Sequence, residues 1–314
     1  MQEIVISPNQ AGQRLDKFVY RHLKKPPKTF VQKLLRKKSV TLNGKKAVGS
    51  HLLVVGDVLR FFVSEETVNK FAKPVHKLPA GAVDVIFEDE HVILLNKPAG
   101  LSTQPDKAGG DSLIGRLRGD FDFQPVAVNR LDKNTTGITI CAKTLPAAQA
   151  LSKLIHDRKI QKIYIGVAHG KISREMTLEG KHIKDPKQNI SKITENNGKF
   201  AQTHINPLNY HQDRDVTLLE IHLHTGRSHQ IRAHLQSINH PLVGDTKYGG
   251  KGIGRQMLHA HKLIFPGLTG VLETLSNKTF TATLPDDMKF IKDFHLCCGL
   301  KVLKDNVNFP HEEG

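Results

Sequence analysis

Between Val126 and Ile140, an otherwise apolar stretch carries Asn129, Arg130, Asp132, Lys133 and Asn134 and runs into Thr135-Thr136-Gly137. If residues 126–132 are extended, Arg130 and Asp132 share a face, because side chains repeat every two residues along a strand. A guanidinium and a carboxylate would then project together at a strand end, beside a glycine turn, a common position for a working site. An adjacent cation favours the ionised carboxylate, and only that form attacks as a nucleophile. An ordinary ion pair at a strand end would use the same residues.

A second cluster runs from Thr225 to Leu235, Thr-Gly-Arg-Ser-His-Gln-Ile-Arg-Ala-His-Leu. Ile231, His234, Leu235 and Ile238 have helical spacing, so Arg227 and Ser228 fall at a strand-to-helix junction. Backbone N–H groups and an arginine at a helix start suit an anion, either a phosphate or a carboxylate. A helix cap with a solvated basic face is the alternative. The third cluster is Lys162-Ile163-Tyr164, one of only four tyrosines, which would equally be a half-buried core residue. His222 and His224 alternate on one strand face, yet no H-E-x-x-H pattern or acidic cluster accompanies them, so no metal site is expected.

These groups need a frame. Val83–Glu90 and His91–Lys97 alternate as a hairpin with an acidic turn, Ile114–Arg118 reads as a helical turn, and Leu145–Lys159 is an amphipathic helix. Lys162–Gly170 and Val216–Leu223 read as strands. Hairpins interrupted by helices favour an α+β body with a mixed, largely antiparallel sheet flanked by helices. In front of it, Leu15, Phe18, Val19 and Leu23 keep helical spacing up to Pro26-Pro27. A second helix follows, with Phe30, Val31, Leu34 and Leu35 on one face and Lys28, Lys33, Arg36, Lys37 and Lys38 largely on the other. Val40–Leu42, the Asn43-Gly44 turn and Lys45-Lys46 make a hairpin. The organisation expected is a small α/β unit over 1–63, a polar linker over 64–80, the main body over 81–300 and a tail over 301–314.

The charge follows that division. The 314 residues carry a formal net +16, of which the first 78 hold net +11 and the remainder net +5. A polyanion is the first partner to consider, and its binding should weaken steeply with salt. With 38% hydrophobic residues and no apolar run near the roughly 18–20 residues of a membrane span, no membrane association is expected. The start MQEIVISPNQ lacks a basic and then apolar leader, which points to the cytoplasm. Cys141, Cys297 and Cys298 read as spectators in a reducing compartment.

Taken together the motifs are more specific than any one of them. N-R-L-D-K-x-T-T-G, K-x-Y, G-R-S-H-Q-I-R-A-H, H-P-L-V-G-D-x-K-Y-G and L-H-A-H, with N-K-P-A-G-L ahead of them, strongly resemble the RluA-type family of RNA pseudouridine synthases over roughly residues 80–290. R-L-D-K-F, the basic helix, V-x-L-N-G-K and G-D-x-L resemble the small RNA-binding domain shared with ribosomal protein S4, over most of 13–62.

The resemblance implies an isomerase of uridine in structured RNA, most readily large-subunit ribosomal RNA, acting without a cofactor and as a monomer. It implies that Asp132 is the catalytic aspartate and that Tyr164 packs on the flipped base, its phenol a candidate for removing the C5 proton. It makes Arg227 the arginine that pairs with the aspartate, and Arg130 the residue that fills the space the base vacates. Leu131 and Ile231 would furnish apolar walls. Asn129, Thr136 and Gln104-Pro105 depart from the commoner His, Ser and His-Pro, and none of these removes a charged catalytic group. A non-catalytic ribosome-assembly factor and a nucleoside hydrolase remain as alternative readings.

Overall fold

The computed structural model describes residues 2–23, 26–63, 83–105, 110–117, 124–185, 188–252 and 254–289. The expected linker at 64–80, the tail at 301–314 and the Cys297-Cys298 pair lie outside the described residues.

The N-terminal unit pairs four strands in the order β1-β4-β2-β3: β1 (Gln2–Val5), β2 (Val40–Leu42), β3 (Lys45–Lys46) and β4 (Val58–Phe61). Helix α1 (Leu15–His22) buries Leu15, Phe18 and Val19, and α2 (Lys28–Arg36) buries Val31, Leu34 and Leu35. Both faces join one core with Val40, Leu59 and Phe61, which leaves Lys28, Lys33, Arg36, Lys37 and Lys38 exposed together. The β2–β3 turn places Asn43 and Gly44 at φ 49° and 74°, the left-handed backbone a two-residue hairpin needs. Asn43 is also tied down, donating to the buried Asp57 (2.8 Å) and accepting from the Val58 N–H (2.8 Å).

The main body is one 11-stranded sheet, ordered β11-β10-β12-β13-β9-β14-β8-β6-β5, with β15 on β14 and β7 on β8. Its strands are β5 (Asp84–Glu88), β6 (Val92–Lys97), β7 (Val126–Ala127), β8 (Thr136–Ala142), β9 (Gln161–His169), β10 (Met176–Asp185), β11 (Ile190–Thr194), β12 (Lys199–His211), β13 (Val216–Leu223), β14 (Leu258–Ile264) and β15 (Thr279–Thr281). The α+β expectation holds, and β13 spans the residues its apolar, β-branched run marks. Among the described strands every pairing is antiparallel except β8 with β14, where Gly137 faces Ala260. Gly137 sits at φ 107°, and a Cβ there would lie 2.2 Å from the Ala260 carbonyl oxygen. Only glycine allows the two backbones to meet at this point.

Among the described residues of the body, three α-helices accompany the sheet. Helix α3 (Leu113–Arg116) starts at Ser112, whose hydroxyl accepts from the Gly115 N–H (3.1 Å). Helix α4 (Leu145–His156) packs Ala147 and Leu151 against Ile138 and Ile140 of β8. It stops before the expected Lys159 because Arg158 turns left-handed at φ 57° and the Lys159 N–H returns to the Leu154 carbonyl (2.9 Å). Helix α5 (Gln230–Ser237) follows β13. None of the described helices is long and apolar enough to cross a membrane.

Two fully buried histidines make this body acid-sensitive. His259 packs its Nδ1 on the Thr136 hydroxyl (2.8 Å), and burial, with His261 nearby, pushes it down to about 3. His234 contacts the Thr203 hydroxyl (2.8 Å) and is pushed down to about 4 by burial and then by His182. Both are neutral in the folded chain, while the unfolded chain protonates them near pH 6.5. The unfolded state therefore binds more protons below that pH, and stability is lost as pH falls. Between pH 7.5 and 5 the loss should reach about 2 kcal/mol for each histidine, about 4 together. Urea denaturation at the two pH values measures it, and His259→Gln should reduce the difference by about 2 kcal/mol. An unchanged difference in that variant would contradict the assignment.

Candidate active site

Beyond β7 the chain does not continue as the strand expected over 126–132. Asn129 turns back onto β8, donating to the Ile138 carbonyl (3.2 Å) and accepting from the Ile140 N–H (2.6 Å), so residues 128–135 peel away as a loop. Arg130 and Asp132 consequently do not share a strand face. Arg130 is exposed at the rim, whereas the Asp132 carboxylate points inward.

Buried side chains hold this loop from below. Thr103 accepts from the Leu131 N–H (3.1 Å) and donates to the Leu131 carbonyl (3.0 Å). Lys97, fully buried, donates to the carbonyls of Pro98 (2.8 Å), Leu101 (2.8 Å) and Lys133 (2.9 Å). Burial, with the Arg255 guanidinium, pushes Lys97 down to about 7, while Asp132 and its three carbonyl partners favour the charged form. Arg255 reaches the Asn134 carbonyl (3.2 Å), and Gln256 donates to the Thr135 hydroxyl (3.2 Å).

The ion-pair partner of Asp132 is Arg232 rather than Arg227. Arg232 Nη1 lies 3.0 Å from Asp132 Oδ2. Its Nε and Nη2 grip the almost fully buried Asp245 at 2.6 and 2.7 Å, and its guanidinium lies 4.7 Å from the centre of the Tyr248 ring. Arg227 instead donates from Nε to the Phe200 carbonyl (3.2 Å). His229, between the two arginines, adopts a left-handed backbone at φ 54°. The chain thus turns after Arg227 and enters α5 with Arg232 in its first turn, directed beneath the loop. The anion site expected of Arg227 and the helix-start N–H groups is not formed among the described residues: the Arg227 N–H is taken by Gln230 Oε1 (3.0 Å), and the nearby carboxylate, Asp132, is held by Arg232 instead.

The four expected site residues and the two expected wall residues line one small cleft of about 80 Å³: Arg130, Leu131, Asp132, Tyr164, Arg227 and Ile231. Leu131, Tyr164 and Ile231 belong to one apolar cluster, so the carboxylate faces hydrophobic walls. Burial, with Asp132 adding to it, raises the Tyr164 phenol above its ordinary range. It is therefore a neutral hydroxyl near pH 7, suited to packing and to donating a hydrogen bond. Cys141 is likewise buried, and its thiol is pushed up to about 12. His222, one of the alternating pair, is taken up by Glu220 (2.8 Å). The cleft opens into a longer groove edged by Arg130, Lys133, Lys184, Arg227 and Lys247, a positive track matching a phosphate backbone.

Sequence reasoning passed over Arg232, Asp245, Tyr248 and Lys97 as functional groups. The signal was present in G-R-S-H-Q-I-R, G-D-x-K-Y-G and N-K-P, which hold them, but no periodicity distinguishes which polar residue of a motif turns inward.

A carboxylate braced by arginine over apolar walls lies beside a cationic groove, an arrangement suited to chemistry on a polyanion. Residues 91–237 match the family model of RNA pseudouridylate synthases, and residues 13–59 match the S4 domain. The chain is 31% identical to ribosomal large subunit pseudouridine synthase D of Neisseria meningitidis over 93% of its length and 80% of that protein's. It is 32% identical to synthase C of Vibrio cholerae over 84% of its length and 89% of that protein's. Human RNA pseudouridylate synthase domain containing 1 shares the fold, with a TM-score of 0.54 at 21% identity over 67% of this chain and 86% of that one. The chain belongs to the RluA-type family of RNA pseudouridine synthases and is an isomerase.

Proposed function

We propose that the protein converts uridine to pseudouridine in large-subunit ribosomal RNA, with Asp132 as the catalytic residue. The observation that carries this reading is the Asp132–Arg232–Asp245 array at the floor of an apolar cleft that opens on a basic groove. The names of the relatives support the choice of RNA. In the reaction the N1–C1′ bond breaks, the uracil turns, a C5–C1′ bond forms, C5 loses a proton and N1 regains one. Asp132 supplies the carboxylate for the glycosidic step. Tyr164 packs against the base, and Leu131 and Ile231 limit water that would release free uracil. Arg130 fills the stack that the flipped uridine leaves, and Arg227 meets the RNA from the rim. The S4 unit over 1–63, joined through 64–80 to the catalytic body over 81–300, captures RNA through the exposed lysine face of α2. The enzyme works as a monomer in the cytoplasm and needs no cofactor.

Incubating the full chain with large-subunit ribosomal RNA and, separately, with transfer RNA, then mapping pseudouridines, tests this. A few discrete new sites in the ribosomal RNA are expected. Conversion confined to transfer RNA would overturn the target, and free uracil without C-glycoside would overturn the reaction. No change in any RNA would favour the assembly-factor reading.

A further inference from the structure

His229 stands between the two arginines of the site and is used by neither. A left-handed backbone at a residue other than glycine persists only where its surroundings fix it. Here the preceding carbonyl, that of Ser228, receives two hydrogen bonds from the neighbouring hairpin: His182 Nε2 of β10 at 2.7 Å and the Ser191 hydroxyl of β11 at 2.9 Å. The ring is held too. His229 Nδ1 lies 2.9 Å from the Tyr248 hydroxyl, which also accepts the Ser191 N–H at 2.7 Å. A phenol has one proton, and among the described residues its remaining partner is His229 Nδ1, so the proton points there. The neutral imidazole then carries its own proton on Nε2, 3.8 Å from Asp132 Oδ2. Burial is the main force keeping the ring neutral; Asp132 favours a second proton, while Arg232, Lys247 and Lys184 oppose it.

Arg232 and His229 therefore both address the same carboxylate oxygen. Among the described residues no hydrogen bond reaches Asp132 Oδ1, and Asp132 lines the cleft. We propose that His229 is a positioning residue for the isomerisation, its Nε2–H oriented by Tyr248 and closing on Asp132 Oδ2 when uridine fills the cleft. The inference rests on the role assigned to Asp132. It makes Asp132 a carboxylate with one clamped and one free oxygen, aligned from the hairpin through Ser191, Tyr248 and His229.

The test compares His229→Gln with His229→Leu, each with and without Tyr248→Phe, by single-turnover isomerisation and by RNA affinity. Glutamine and leucine carry similar backbone strain at this position, but only glutamine keeps an N–H near the place of Nε2. His229→Leu should slow the chemical step about 10- to 100-fold, the range expected when a reacting group loses its alignment, with RNA affinity unchanged within about twofold. His229→Gln should stay within about threefold of the parent rate, because the donor to Asp132 survives. Tyr248→Phe should slow the parent several-fold yet have no further effect on His229→Gln, whose amide needs no phenol to set its proton. The acceptor lost to Ser191 is common to both backgrounds and cancels in the cycle. Equal impairment of the glutamine and leucine variants, or equal effects of Tyr248→Phe in both backgrounds, would overturn the proposal. Should His229→Leu fail to fold, the Tyr248→Phe comparison decides alone. An active Asp132→Asn enzyme would remove the proposed function, whereas an inactive one beside an unimpaired His229→Leu would remove only this inference.

Discussion

Asp132→Asn is expected to reduce isomerisation at least about 10⁴-fold, as losing a nucleophile does, while RNA affinity changes by less than about twofold. The fold should tolerate the change. Asp132, Arg232 and Asp245 carry two negative charges around one guanidinium, and removing the charge of Asp132 leaves Arg232 matched one to one with Asp245. The asparagine oxygen can still accept from Arg232 Nη1. Thermal stability equal to or above that of the parent should therefore accompany the loss of activity, as expected where function rather than stability retains a partly buried charge. Calorimetry and a tritium-release assay on the same preparation measure both quantities. Residual turnover above contamination would refute the role of Asp132, and a large drop in stability would refute the charge argument.

Arg232→Met should damage both fold and chemistry. Asp245 is almost fully buried and receives two of its hydrogen bonds from this guanidinium. Breaking a buried pair from one side costs about 3–5 kcal/mol, because the remaining charge is uncompensated. Asp132 would lose its brace as well, and a further rate loss of about 10²–10³ is in the range for removing one preorganised charge contact. Arg232→Lys should fall between, since an ammonium cannot hold Asp245 through two parallel bonds while reaching Asp132. Arg227→Met, at a site whose contact is one carbonyl, should leave stability nearly unchanged and weaken RNA binding instead. Urea midpoints and single-turnover rates for the three variants separate the two arginines. If Arg227→Met proved the more damaging in both measures, the pairing in the structure would be contradicted as a functional one.

Much of the frame was legible because its signals are local. The β13 run, the Asn43-Gly44 hairpin and the two helices of the S4 unit each declare themselves within a few residues, and the structure places them there. Asp132, Tyr164, Leu131 and Ile231 were legible as a group through the motifs that hold them, and they meet in one cleft. The identity of the pairing arginine was not. Arg227 and Arg232 are five positions apart in one motif, and the choice depends on the left-handed turn at His229, which is fixed by Ser191 and His182 on a distant hairpin. The extended reading of 126–132 failed for a similar reason. Val126 and Val128 favour a strand, but the amide of Asn129 bonds to β8 and ends it early.

The parallel pairing of β8 with β14 has a consequence for how the enzyme comes into being. Gly137 on β8 can meet Ala260 on β14 only after the whole intervening chain has been made and has folded back. The loop before β8 depends on partners just as remote, 100 residues away at Arg232 and 121 at Arg255. Contacts of such sequence separation form late and slowly, after the local hairpins and helices. Catalytic competence should therefore emerge in one step at the end of folding, and a ribosome-bound or truncated chain lacking β14 would hold RNA through its S4 unit without modifying it. Capture matures early in the life of the polypeptide, and chemistry matures last.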